Sequence, residues 1–110
     1  MFPFNMNYTL ERMNGKPLPA GIRPTLVVSN ELRGSGHSGC NRYSATTYPG
    51  YNGQMRIGPV ALTRMACPGP AMAVESAYLR IYYSARRWRE ANDVLTIQGG
   101  LGTLVFRRGI

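Results

Sequence analysis

Acidic residues are scarce in this chain: five Asp+Glu stand against thirteen Lys+Arg, a formal net charge of +8 over 110 residues. That deficit excludes an acidic solvating tail. Charged residues reach only 16% of the sequence against 44% hydrophobic, which also excludes a charge-rich disordered segment. Lysine is nearly missing, since twelve of the thirteen cations are Arg. The chain has one His, His37, and two Cys, Cys40 and Cys67, fewer than the four ligands a structural zinc usually takes, so no metal is expected. No apolar run approaches the ~20 residues of a membrane-spanning helix. Met1 to Asn7 carries neither a basic region nor an apolar core, so no signal peptide is expected in it; the first strand begins almost at once, as in a domain whose export signal has been cut away.

Turn residues, by contrast, are plentiful. Thirteen Gly and eight Pro imply many turns, few long helices and short strands. The length fits a single domain over 1–110, which can bury one core but has little stability to spare, so a covalent staple would help it. Strands are expected over Asn7–Met13, with Tyr8, Leu10 and Arg12 on one face, and over Thr25–Ser29, Leu32–Ser38, Tyr43–Tyr51, Gln54–Ile57, Arg86–Glu90, Val94–Gln98 and Thr103–Arg107. Asn52-Gly53 is the clearest hairpin turn. Val60–Met65 is a short extended segment, and Gly34, Gly36 and Gly39 mark a strand with bulges or close backbone approach. One helix is predicted from about Pro70 to about Ser84, on Met72, Glu75, Tyr78, Leu79 and Tyr82. Short turns between consecutive strands make the pairing antiparallel. The fold class is therefore α+β and mostly β: a curved sheet or cracked barrel of about 7–9 short strands with the helix over 70–84 packed on it.

No catalytic constellation emerges. His37 lies near Glu31, Ser35 and Ser38, but in no recognisable triad order, and a solvent-facing strand His is the simpler reading. The glycines around it are not followed by a helix, which excludes a phosphate loop. The chain is therefore expected to be no enzyme and to need no cofactor. The Arg excess permits binding to phosphate, nucleic acid or an anionic surface. Most of the arginines are spread singly, however, from Arg12 and Arg23 to Arg80; only Arg86-Arg87-Trp88-Arg89 and Arg107-Arg108 cluster. Nucleic acid is accordingly not the expected partner, and a charged, solvated strand edge is the bland account of the first cluster.

Cys40 and Cys67, 27 positions apart, are the smallest set that makes one disulfide. A structural bridge would stabilise the fold by roughly 3–4 kcal/mol on the chain-entropy model. Two buried thiols are the alternative, and the spacing is not the CxxC of a redox pair. Arg42 or Arg64 is expected to pair with Glu75, the helix's one acid, and Asn41 to bond to backbone in a turn. Tyr78, Tyr82, Tyr83 and Trp88 are read either as lining an apolar pocket between helix and sheet or as core.

Two blocks carry a resemblance. The first is Gly39-Cys40-Asn41-Arg42-Tyr43; the second is Thr63-Arg64-Met65-Ala66-Cys67-Pro68, followed by Met72, Glu75 and Tyr78. In that order, with an opening strand and turn at Leu10–Pro17 and a closing hairpin at Val94–Arg107, the chain resembles the META (HslJ-like) domain family from about Tyr8 to Arg108. It departs at Ser44-Ala45, where the family commonly has an aromatic or Ser followed by Gly. The resemblance implies a curved antiparallel sheet with one helix, in exported or lipid-anchored bacterial proteins associated with heat shock, stress response and novobiocin tolerance, and in some parasites with motility or virulence. The family's fold also looks like that of a type III secretion pilot lipoprotein whose cracked barrel holds lipid. The expectation is a monomeric, non-enzymatic domain of the periplasm or outer-membrane periphery, binding a protein partner or an acyl chain on its curved sheet. The alternative is a cytoplasmic phosphate or nucleic-acid binder.

Overall fold

Alternating buried and exposed residues run through nearly every segment predicted as a strand, and the computed structural model, which describes residues 1–109, pairs them into one sheet. The strands are β1 (Tyr8–Met13), β2 (Lys16–Pro17), β3 (Thr25–Val28), β4 (Arg33–His37), β5 (Arg42–Pro49), β6 (Met55–Ile57), β7 (Ala61–Leu62), β8 (Ala85–Ala91), β9 (Val94–Gly99) and β10 (Gly102–Arg108). One helix, α1 (Gly69–Tyr83), stands between β7 and β8. The strand count passes the expected seven to nine because Lys16–Pro17 and Ala61–Leu62, two residues each, also pair.

The sheet order is β6-β5-β4-β3-β1-β10-β9-β8, antiparallel throughout, with β2 beside β1 and β7 beside β5. Curvature brings its two ends together. A bridge between Gln54 and Arg87 joins them, and the indole Nε1 of Trp88 donates to Gly50 O at 3.2 Å. The result is a nearly closed barrel with a seam between β6 and β8. Closure by so few bonds follows from strand length, because β6 is only three residues long.

The helix packs one face onto the sheet's interior side and leaves the other to solvent. Its start is set by Pro68 and Pro70, which lack the N–H that a first turn leaves unpaired anyway. Its end is set at Ser84, whose N–H bonds back to Arg80 O and Ile81 O, and β8 begins at the next residue. Val74, Glu75, Tyr78, Ile81 and Tyr82 form its buried face. Met72, expected on that face, is instead exposed, and Ile81 takes its share of the burial. The aromatic rings of Tyr78 and Tyr82 stack at 6.0 Å, with Tyr43 edge-on to both and Phe106 edge-on to Tyr78. Around them Leu10, Leu26, Leu95, Ile97 and Leu104 are fully buried, so the barrel is a packed core with no lumen along these positions.

Two local features carry sequence meaning. Pairing of β1 with β10 slips between Leu10 and Arg12, so Glu11 is bulged and the alternation breaks there. Tyr8 and Leu10 face the core while Arg12, expected on the same face, points to solvent. On β4, a Cβ at Gly34 would sit 2.5 Å from both Thr47 Oγ1 and Tyr82 Oη, and one at Gly36 would strike the backbone carbonyl of Thr25. The glycines thus let the strand lie against buried hydroxyls and its neighbour's backbone. The Tyr82 hydroxyl bonds to Thr47 Oγ1 at 2.7 Å; Tyr78 bonds to Tyr43, which itself donates to Thr25 O at 2.7 Å. No helix among the described residues is long and apolar enough to cross a membrane.

Candidate functional site

The two motif blocks meet at one place, where the loop entering β5 lies against the strand-like segment leading into α1. Cys40 and Cys67 are joined in a disulfide, with Cα atoms 5.9 Å apart. Gly39, at φ +118°, adopts a conformation that residues with a Cβ rarely reach. A Cβ there would also press on Ala71 O and Glu75 N at 3.2 and 3.3 Å, so glycine brings this loop onto the helix.

Asn41, 2% exposed, is the hub. Its Oδ1 accepts from Met65 N at 2.6 Å and from Thr63 Oγ1 at 2.9 Å. Its Nδ2 donates to Met65 O at 3.2 Å and to Glu75 Oε2 at 3.0 Å. One side chain therefore holds both polar atoms of a backbone residue and turns to the helix with its remaining proton, as an amide with two donors and an acceptor oxygen can. The expectation that Asn41 serves backbone bonding describes this geometry, extended by the bond to Glu75.

Glu75 is buried, 4% exposed, and takes neither Arg42 nor Arg64 as partner. Both arginines are exposed, and the ion pairs of the described residues are Arg107–Glu11 and Arg108–Asp93. In place of the expected salt bridge, Glu75 Oε1 accepts from Asn41 N and Ser38 Oγ, each at 2.6 Å, and Oε2 accepts from Asn41 Nδ2. Ser38 Oγ also lies 2.9 Å from Asn41 O, but a hydroxyl has one proton and the carboxylate is the stronger acceptor. Burial alone pushes the Glu75 carboxyl pKa up; the bonds from Ser38, from the Asn41 side chain and from the amides of Asn41 and Cys40 outweigh it and hold the pKa below its ordinary value. Sequence reasoning missed Ser38, which in the sequence is one more polar residue in a Gly-rich stretch.

The remaining candidates fall elsewhere. Arg42 N and Thr63 Oγ1 are 3.0 Å apart, which ties the two blocks once more, while Met65 and Ala66 face solvent. The half-buried His37 accepts the Gly39 amide on Nδ1 at 3.3 Å. Tyr78 and Tyr82 are core, without exposed surface, and burial drives their phenol pKa values and that of Tyr43 upward. Among the described residues no three His, Cys, Asp or Glu are grouped to hold a metal ion.

Of the pocket candidates, Trp88 and Tyr83 border concavities, each a different one, and Tyr78 and Tyr82 border none. A cleft of about 730 Å³ lies at the seam, lined by Met1, Phe2, Phe4, Trp88 and the segment 49–53. The Phe2 ring meets Trp88 edge-on at 5.1 Å and lies tilted against Phe4 at 5.3 Å, while Tyr51 is 93% exposed. Neither the N-terminal phenylalanines nor Tyr51 had a periodic signal to mark them; only the folded sheet brings positions 2, 51 and 88 together.

Comparison with known proteins accords with this architecture. A protein from Burkholderia xenovorans, solved by NMR, superposes with a TM-score of 0.75 at 24% identity, over 96% of this chain and 83% of that one. A second NMR structure gives 0.73 at 26% identity, over 93% of this chain and 87% of that chain. A comparison with curated proteins finds no match. The META domain model matches residues 3–109, nearly the whole chain. This chain, a nearly closed barrel with one helix packed on it and both motif blocks joined through Cys40–Cys67 and Asn41–Glu75, thus belongs to the META domain family.

Proposed function

We propose that this domain is a non-catalytic binding module of an oxidising compartment, the periplasm or the outer-membrane periphery, and that it takes an acyl chain at the seam of its curved sheet. The observation that carries this reading is the apolar cleft beside Trp88, open to solvent, in a molecule whose barrel interior is already filled by Tyr43, Tyr78, Tyr82 and Phe106. A ligand has no room inside and is directed to the rim. Its lining of aromatic rings and methionine suits hydrocarbon, and its size is that of a small-ligand site.

The compartment is supported by the disulfide, which persists where thiols are not kept reduced. The non-catalytic reading is supported by Glu75: the one buried acid has both oxygens committed to protein donors and lines neither of the two seam clefts. Apolar side chains of a protein partner are the other occupant of matching chemistry.

Trp88 is the chain's single tryptophan, so its emission reports directly on the cleft. Titration with a brominated fatty acid below its micellar concentration is expected to quench that emission saturably, with unbrominated oleate competing. Emission that stays constant through the titration would refute acyl binding there.

A further inference from the structure

Three arginines stand at the same seam with side chains outside the ion pairs of the described residues. Arg56 of β6 and Arg86 and Arg87 of β8 border a second cleft, about 750 Å³, together with Gln54, Tyr83 and Ser84. All three are exposed, no carboxylate of the described residues lines the cleft, and the ion pairs of those residues use Arg107 and Arg108 instead.

The backbone builds this concentration of charge. Pairing of β8 with β9 slips between Ala85 and Arg87, which makes Arg86 the extra residue of a bulge. Regular alternation would turn one of two neighbouring side chains inward. Here Ala85 is buried and Arg86 and Arg87 both face water. Barrel closure supplies the third cation, because the Gln54–Arg87 bridge sets the start of β6 beside β8. Segments from the two ends of the sheet thus place three arginines on the border of one concavity, Arg86 with its guanidinium beside Gly100, and their like charges reinforce one another there.

The chemistry that answers them is a phosphate. It carries close to two negative charges at neutral pH and three acceptor oxygens, and a guanidinium fork matches a pair of those oxygens. The cleft is far larger than the anion alone and within the roughly 300–1,000 Å³ of small organic ligands. Tyr83, 56% exposed on its border, offers a ring face to an apolar or aromatic body. We propose that the Arg56–Arg86–Arg87 cleft is a binding site for an organic phosphate, a phosphomonoester with an apolar substituent. None of the residues lining this cleft lines the Trp88 cleft, so the site stands whether or not an acyl chain binds there.

Isothermal titration of the oxidised domain at low ionic strength tests it, with phenyl phosphate and inorganic phosphate as soluble probes. A parallel arm measures co-sedimentation with phosphatidylcholine vesicles, with and without phosphatidic acid. The expected result is saturable 1:1 binding of phenyl phosphate, tighter than inorganic phosphate and weakened about tenfold by each of R56Q, R86Q and R87Q. R12Q and R23Q, exposed arginines outside the cleft, should bind as the parent does. Co-sedimentation that needs phosphatidic acid and fails in the same three variants would assign the phosphate to a lipid headgroup at this site. All five side chains are exposed, so unchanged thermal midpoints separate lost binding from lost folding. No saturable binding in either arm, or equal weakening by R12Q and R23Q, would overturn the proposal.

Discussion

Replacing Glu75 with Gln changes no shape and removes one charge, and the hydrogen-bond inventory around it gives the cost. At Oε1 the amide oxygen keeps Asn41 N and Ser38 Oγ, but each bond falls from charge-assisted to neutral, a loss of roughly 1 kcal/mol apiece. At Oε2 the new NH₂ faces Asn41 Nδ2, donor against donor, which costs about 1–3 kcal/mol for a buried unsatisfied group. Rotating the Asn41 amide to relieve that clash removes its oxygen from Thr63 Oγ1 and Met65 N, so relaxation exchanges one loss for another. Removing the charge also recovers the desolvation that burial imposes on it, so the net loss, about 2–4 kcal/mol, is still a large part of a small domain's stability and corresponds to a fall in Tm of about 10 °C or more. Calorimetry of E75Q against the parent under oxidising conditions measures it.

A pH series adds an independent sign. Because the folded carboxyl pKa is lowered, Glu75 contributes stability that is fully present above the unfolded value of 4.5 and is lost as pH falls from there through the folded value. The gap between parent and E75Q should be widest near neutrality and narrow below that point. A Tm change under about 3 °C, or curves that run parallel from pH 7 to pH 3, would refute the view that a charged Glu75 holds the two motif blocks to the helix.

Other perturbations have equally direct readouts. Removing the bridge with C40S/C67S should cost about 3.5 kcal/mol by closure of a 27-residue loop, seen as a lower denaturant midpoint; an unchanged midpoint would mean the surrounding bonds suffice alone. Gly36→Ala drives a Cβ into the Thr25 carbonyl, and backbone cannot step aside as a side chain does, so loss of about 2–4 kcal/mol or of soluble protein is expected. The raised pKa values of Tyr43, Tyr78 and Tyr82 mean that the neutral phenols are favoured by folding; their stabilisation is complete below the ordinary value of 10.0 and lost above it. In an alkaline titration followed at 295 nm, three of the seven tyrosines should therefore ionise only together with loss of near-UV circular dichroism. R107Q, which breaks an ion pair between groups 56% and 42% exposed, should shift Tm by no more than a few degrees.

Much of the architecture was legible in the sequence because its signals are local. Period-two burial, the Asn52-Gly53 turn and the Pro68–Pro70 helix start each depend on neighbours a few residues away, and each stands where expected, with boundaries shifted by one or two positions. The bulge at Glu11 was not legible, since it is a property of pairing with β10, about ninety positions later. Its consequence, Arg12 turned to solvent, reverses an expectation built on alternation alone. The same limit explains Glu75. An acid among arginines suggests an ion pair by composition, but Ser38, Cys40 and Asn41 reach it first, with donors already fixed by the loop and without the desolvation of a buried guanidinium. The clefts were the least legible feature, because positions 2, 51 and 88, or 56 and 86, are unrelated until the barrel closes.

This division bears on what family membership transfers. Gly39, Cys40, Asn41, Thr63, Cys67 and Glu75 are committed to one another: a disulfide, a close backbone approach and a set of internal hydrogen bonds consume the capacity by which they would contact a ligand. A chain can therefore carry both motif blocks, and fold as this one does, without binding what another member binds. Within the blocks Arg42, Arg64, Met65 and Ala66 turn their side chains to solvent; outside them, the β6–β8 seam exposes Tyr51, Arg56, Arg86 and Arg87 beside Trp88. If the proposed seam sites bind, specificity is set by what the two ends of the sheet bring together there. The most informative substitutions for ligand choice are those that leave Asn41 and Glu75 untouched.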